Sequence, residues 1–209
     1  MRCSEKVLVF VGRFFCFWKN ILIKAKFLFY MNLIILYGPP ASGKYTLGKE
    51  LSSFLNYKFL HNSAINDLTL NVLNKDHHNF LNFRWYLREL LISEAVNQGV
   101  NGLVMTRAGN GSDKEIVFFN KIKELIEENK GKFILINLVC PKNVLEKRVI
   151  LDSRKNFLKI NSVKDLNNWF KNYKKVEILE NDYVLDFDVS KDLNSCIINL
   201  KKEVLSLIN

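Results

Sequence analysis

The sequence predicts an α/β three-layer sandwich, a parallel β-sheet with helices packed on both faces. Short branched-apolar runs alternate along the chain with segments of helical periodicity, the pattern left by repeated strand–helix–strand crossovers. The run Lys132 to Cys140 (KFILINLVC) is nearly continuous in apolar residues, as a strand covered on both sides must be. Leu33-Ile34-Ile35-Leu36 passes directly into a Gly/Pro-rich turn and then a helical pattern, so strand, loop and helix follow without a linker. Crossovers in such a sheet are right-handed.

The first strand and its loop carry the sharpest signal. Gly38-Pro39-Pro40-Ala41-Ser42-Gly43-Lys44 fits the spacing G-x-x-x-x-G-K, in which glycines let successive amides turn inward toward phosphate oxygens at a helix N-terminus. Lys44 then reaches the terminal phosphates. The next position, which ordinarily holds a Mg²⁺-contacting Ser or Thr, is Tyr45, and a hydroxyl returns only at Thr46. Residues 38–46 are therefore expected to bind a nucleotide, with Thr46 touching the metal through water.

The following helix places Leu47, Leu51, Phe54 and Leu55 on one inward stripe, with Lys49 and Glu50 outward. Tyr57 to His61 reads as a second strand. A loop-and-helix region covers Ala64 to Leu73, and the polar turn Asn74 to His78 leaves His77 and His78 facing solvent. From Asn79 to Asn97 a long helix sets Phe83, Leu87, Leu90, Leu91 and Ala95 on one face and Arg84 and Arg88 on another, with Gly99 as its C-terminal stop.

Gly102 to Thr106 is the third strand. Ser112 with Glu115 has the spacing of a capping box and opens a helix that Gly131 ends. After the fourth strand, Pro141 begins a helix with Leu145 and Val149 inward, and Asp152 to Lys159 is a basic, polar connection. Ser162 with Asp165 caps another helix, bearing Val163, Leu166, Trp169 and Tyr173 inward. Tyr183 to Asp186 is the last strand, and Leu193, Ile197, Leu200, Val204 and Leu207 line a closing helix.

At 209 residues, 48% hydrophobic and 25% charged, the chain fits one α/β domain over residues 31–209, preceded by a basic-hydrophobic extension over 1–30. The formal charge is +10, but residues 1–30 hold six basic residues against the single acid Glu5. Beyond them no basic stripe interleaves with stacking aromatics, which disfavours a nucleic-acid partner. The extension is too short in its apolar run to span a bilayer. It reads as sequence upstream of a start at Met31, as a membrane-surface segment, or as an organelle-type presequence. Cys3, Cys16, Cys140 and Cys196 form no C-x-x-C pair and the three histidines lack ligand spacing, so neither a disulfide framework nor a structural metal is expected, and a cytoplasmic setting is. Oligomeric state is not legible.

The loop, with its hydroxyl two places after the lysine, resembles that of adenylate-kinase-like P-loop kinases. Together with Phe59-Leu60-His61-Asn62, Asp67, Thr106, Cys140-Pro141, Arg148, Arg154 and Lys159, it resembles a group of small P-loop kinases, adenylate-kinase-like and shikimate-kinase-like, that often bear the label AAA-family ATPase. The similarity spans residues 31–208. It implies a five-stranded parallel sheet of the nucleoside-monophosphate-kinase-like type with a short basic lid after the fourth strand, and an ATP- and Mg²⁺-dependent phosphotransferase. Arg148 and Arg154 would be lid arginines closing over the transferring group. Asp67 would be the acceptor's base, and His61, Asn62, Arg84 and Arg88 would contact the acceptor, a small hydroxyl-bearing molecule or alternatively a nucleoside or nucleotide. The chain departs from the group at Ser63, where a second histidine is usual. Thr106-Arg107 stands where many loop enzymes keep a Walker B aspartate, which excludes an AAA+ motor and leaves an ATP-binding protein with little turnover as a further reading. A GTP switch is disfavoured, because Asn74-Lys75-Asp76 misses the guanine-binding spacing by one residue.

Overall fold

The computed structural model of the protein describes residues 30–154, 159–174 and 184–208, apart from the side chain of Ser153. The extension over residues 1–29, part of the basic connection and the chain entering the last strand lie outside the described residues.

Five strands form one sheet in the order β2-β3-β1-β4-β5, and every neighbouring pair is parallel. They are β1 (Asn32–Tyr37), β2 (Lys58–Leu60), β3 (Gly102–Arg107), β4 (Phe133–Val139) and β5 (Val184–Asp188). The helices are α1 (Lys44–Leu55), α2 (Asn62–Leu70), α3 (Phe80–Asn97), α4 (Asp113–Glu128), α5 (Lys142–Val149), α6 (Val163–Lys171) and α7 (Leu193–Ile208), with a 3₁₀ turn at Asp152–Arg154. The α/β sandwich expected from the sequence is the observed fold.

Side chains alternate across a pleated strand, so each central strand feeds two cores. Leu33, Ile35, Tyr37, Met105, Phe133 and Leu135 face one way, onto Ile92 of α3 and Phe118, Phe119, Ile122 and Ile126 of α4. Ile34, Leu36, Val104, Ile134, Ile136 and Leu138 face the other way, onto Leu47 and Leu51 of α1 and Cys196, Leu200 and Val204 of α7. A smaller cluster of Ala41, Leu145, Val149 and Leu166 anchors the lid-side helices α5 and α6.

Four local expectations are corrected. Phe54 is exposed, with the Lys201 ammonium 5.2 Å from its ring centroid, because α7 covers only the Leu47/Leu51 stripe of α1. In α3 the buried residues are Phe80, Arg88 and Ile92, while Leu90 and Leu91 are exposed. Polar and apolar residues are mixed around the axis of this helix, so its periodicity could not tell which face turns inward. Ser112 makes no side-chain cap; Glu115 turns instead to Arg107 and to the amides of Asn110 and Gly111. The left-handed stop of α4 is Lys130 (φ 60°), and Gly131 is needed for a different reason: a Cβ there would lie 2.1 Å from the Met31 carbonyl oxygen. Ser162 does cap α6, its hydroxyl oxygen accepting from the Asp165 amide at 3.1 Å.

Candidate functional site

The site lies at the carboxyl ends of β1, β3 and β4, where a parallel sheet of this order reverses its winding and leaves a crevice. It is one large cavity of about 1250 Å³, walled by the 40–47 loop and helix start, His61 with Asn62, Ser63 and Asn66 of α2, Arg84 of α3, Leu151, Arg154, Lys159 and Ile160 after α5, and Val189, Lys191, Leu193 and Cys196 after β5.

The loop is fixed from below. Gly38 sits at φ 141°, and a Cβ there would approach the Leu138 carbonyl oxygen to 2.7 Å, so the turn out of β1 presses on β4. At the other end Gly43 is the N-cap of α1. This helix start has no side-chain cap and no acidic residue in its first turn, whereas α2 and α6 are capped by His61 and Ser162. First-turn amides have no partner within their own helix, so the positive end of α1 is offered to an anion. Lys44 meanwhile is half-buried, its ammonium donating to the carbonyls of Gly38 (2.9 Å) and Pro39 and to Ser42 Oγ (3.0 Å). Burial, then the nearby Arg154 charge, pushes its pKa down to about 7. These residues suit a phosphate chain. Thr46, on the cavity wall and exposed, is the hydroxyl that would reach a Mg²⁺ held chiefly by phosphates and water.

A second wall of the cavity is the start of α2. His61 caps that helix, its Nδ1 accepting from the Ala64 amide at 3.2 Å and lying 2.7 Å from Ser63 Oγ. The ring packs edge-on against Tyr45 and beside Phe59, at 5.1 and 5.6 Å between centroids. Burial lowers the histidine pKa, Asp67 raises it and Lys159 lowers it further, so the imidazole is neutral at pH 7. The segment is held from behind: the Asn62 amide donates to Thr106 Oγ1 (3.1 Å), and Arg88 donates to Asn62 Oδ1 (2.7 Å) and to the Arg84 carbonyl (2.9 Å).

Behind this wall Arg84, Arg88 and Arg107 crowd together. The guanidiniums of Arg107 and Arg88 lie 4.4 and 5.3 Å from the Trp85 ring centroid, and Arg107 pairs with the buried Glu115 at 2.7 Å. Desolvation and neighbouring positive charge depress Arg84 and Arg88 below the ordinary arginine range. Two buried polar atoms of cavity-lining residues have no hydrogen-bond partner among the described residues, Arg84 Nε and Asn66 Oδ1.

The structure thus brings residues 40–46, His61, Asn62, Arg84, Arg148 and Arg154 to one cavity. It does not bring Asp67 there. Ser63 and Asn66 line the cavity; Asp67, although it shares a helical face with Ser63 and acts on the charge of His61, is not among the lining residues. Arg88 is fully buried behind Asn62, so it braces the start of α2 and does not face the cavity. Gly38 and Pro39 lie beneath the loop, as carbonyl partners of Lys44. The two lid arginines are engaged: Arg148 donates to the Val189 carbonyl (2.9 Å), and Arg154 donates twice to the Ile160 carbonyl (3.0 and 2.9 Å), pinning the lid connection to itself. Lys159 lies 5.5 Å from the Tyr45 ring centroid, which seats the connection on α1.

Sequence reasoning missed Ser63 as a wall residue, together with Asn66, Lys75, Trp169 and Lys191. A signal existed for Lys191, since the loop after every strand of such a sheet opens at the ligand edge. None existed for Lys75.

No protein-family model matches the chain, and no curated protein matches it in sequence. Solved structures do match in shape. A gluconokinase from Sinorhizobium meliloti superposes with a TM-score of 0.57 at 13% identity, over 86% of this chain and 94% of that one. A sugar kinase from Janibacter sp. gives 0.54 at 16%, over 83% and 94%. Shikimate kinase from Aquifex aeolicus gives 0.51 at 20%, over 85% and 99%. The chain therefore shares the fold of these gluconate, sugar and shikimate kinases, a five-stranded parallel sheet flanked by helices.

Proposed function

We propose that the protein is an ATP-dependent phosphotransferase acting on a small hydroxyl-bearing molecule. The observation that carries the reading is the uncapped, acid-free start of α1 with Lys44 beside it, opening into the same cavity as the α2 wall and the unpartnered Nε of Arg84. With a nucleotide bound, Lys44 would exchange its loop carbonyls for phosphate oxygens, the amides of residues 41–46 would donate to the same phosphates, and Thr46 would reach Mg²⁺ through water. That ion, when bound, neutralises charge on the transferring group. Arg154 and Lys159 stand close enough to Lys44 and Tyr45 to add cations on the lid side. The acceptor sits between α2 and Arg84. A nucleotide acceptor is the second reading, favoured by the free Nε–H of Arg84, a donor suited to an anionic group.

Calorimetric titration with MgATP and MgGTP is the first test, followed by an acceptor panel of polyols, sugar acids, hydroxy acids and nucleoside monophosphates. Saturable MgATP binding that Lys44→Ala weakens at least tenfold is expected. Equal binding by that variant refutes the role given to Lys44, and no binding by the wild type refutes the whole reading.

A further inference from the structure

We propose that Ser63 and His61 form a two-residue proton relay that deprotonates the acceptor hydroxyl; the inference rests on the kinase reading above. Transfer to a hydroxyl releases a proton, and a positioned base must take it. Among the described residues that line the cavity, the single carboxylate is Asp165, which sits at the start of α6 on the lid side and whose Oδ2 accepts from Ser162 Oγ. Asp67 is not among the lining residues. What the acceptor wall offers instead is Ser63 Oγ, 2.7 Å from His61 Nδ1.

The tautomer follows from the cap. Nδ1 accepts the Ala64 amide at 3.2 Å, so in the neutral ring the proton is on Nε2, and the single Nδ1 lone pair is shared between that amide and the closer Ser63 hydroxyl at 2.7 Å. Ser63 Oγ then presents its own lone pairs to the cavity, where it can accept from an incoming hydroxyl. The ring is neutral at pH 7, and the groups that face it are Asp67 from α2, Lys159 from the lid connection and the Tyr45 ring from α1. Arg88 through Asn62, and Thr106 through the Asn62 amide, fix the residue between the two members of the pair.

The acceptor oxygen forms its bond to the γ-phosphorus as the bond from that phosphorus to the β–γ bridging oxygen breaks. The acceptor proton passes to Ser63 Oγ, the Ser63 proton passes to His61 Nδ1, which releases the Ala64 amide from that nitrogen while the ring is protonated, and ADP leaves. The imidazolium returns a proton to solvent, restoring both residues.

Because His61 is also a helix cap, the test needs a variant that keeps the cap and loses the base. His61→Asn does both, since asparagine is among the best N-caps and cannot be protonated near neutrality. Single-turnover release of labelled γ-phosphate from MgATP to water, and to the acceptor panel, is measured from pH 5 to 9 for wild type, His61→Asn, Ser63→Ala and Ser63→Thr. All four are expected to bind MgATP within about threefold of one another. His61→Asn and Ser63→Ala should transfer at least about 100-fold more slowly, the lower end for loss of a general base, while Ser63→Thr should stay within about tenfold of wild type. The wild-type rate should fall on the acid side as His61 takes up a proton, and that limb should vanish in His61→Asn. Undiminished transfer by either damaging variant, an unchanged acid limb in His61→Asn, or a wild type that binds MgATP yet transfers to nothing offered would overturn the relay and leave nucleotide binding standing. A wild type that binds no nucleotide removes both proposals.

Discussion

Lys44 shows how a single side chain records what its surroundings are built to receive. Its ammonium is half-buried against carbonyls of its own loop, and its pKa falls to about 7 because burial and Arg154 both disfavour the charge. A polyphosphate would reverse the balance, favouring the protonated form. Between about pH 7 and the higher pKa of the complex, binding must therefore take up close to one proton, and affinity must fall as pH rises through that interval. Calorimetry at pH 8 in buffers of differing ionisation enthalpy should show that uptake. Buffer-independent heats and flat affinity from pH 7 to 9 would contradict it. Arg88 makes a second residue-scale case. It is 1% exposed and ties Asn62 to α3, so removing it as Arg88→Met strips two charge-assisted hydrogen bonds, each worth about 1.5–3 kcal/mol, from the acceptor wall.

At the level of elements, the turn into α4 depends on one carboxylate. Glu115 is wholly buried and holds Arg107 and the amides of Asn110 and Gly111 at 2.7, 2.9 and 2.9 Å. Breaking a buried pair by removing one partner's charge costs about 3–5 kcal/mol. Glu115→Gln should accordingly lower the melting temperature by about 6–20 °C for a chain of this size. A shift under 3 °C would show that the amides, not the ion pair, hold the turn. The S-x-x-E spacing was readable, yet its use was not: Arg107, at the end of β3, outbids the Ser112 cap, and that contact crosses between elements no local pattern links. The strands were legible because both their faces are covered, which leaves an unbroken apolar run. The loop was legible because its spacing is dictated by backbone geometry. The inward face of α3 was hidden, because a buried arginine stands where the pattern calls for an aliphatic residue, and the sequence could not show that Asp67, on the same helical face as Ser63, is absent from the cavity lining.

Across the whole molecule, the sheet order delivers the ends of separate strands to one crevice, and the residues delivered there are lopsided in charge. Lys44, Lys75, Arg84, Arg148, Arg154, Lys159 and Lys191 line the cavity against Asp165 alone among the described residues. Such a field speeds the arrival of anions and weakens with salt, since the screening length drops from about 10 Å at 0.1 M to about 3 Å at 1 M. Stopped-flow association of a fluorescent ATP analogue should slow at least tenfold between 0.05 and 0.5 M NaCl, with dissociation changing much less; equal sensitivity of both rates would argue against steering. A cavity so deficient in counter-charge will also not discriminate well among small multivalent solutes. Sulfate, pyrophosphate and citrate should each occupy it at millimolar levels, so that catalytic constants taken in phosphate buffer would describe a partly blocked protein.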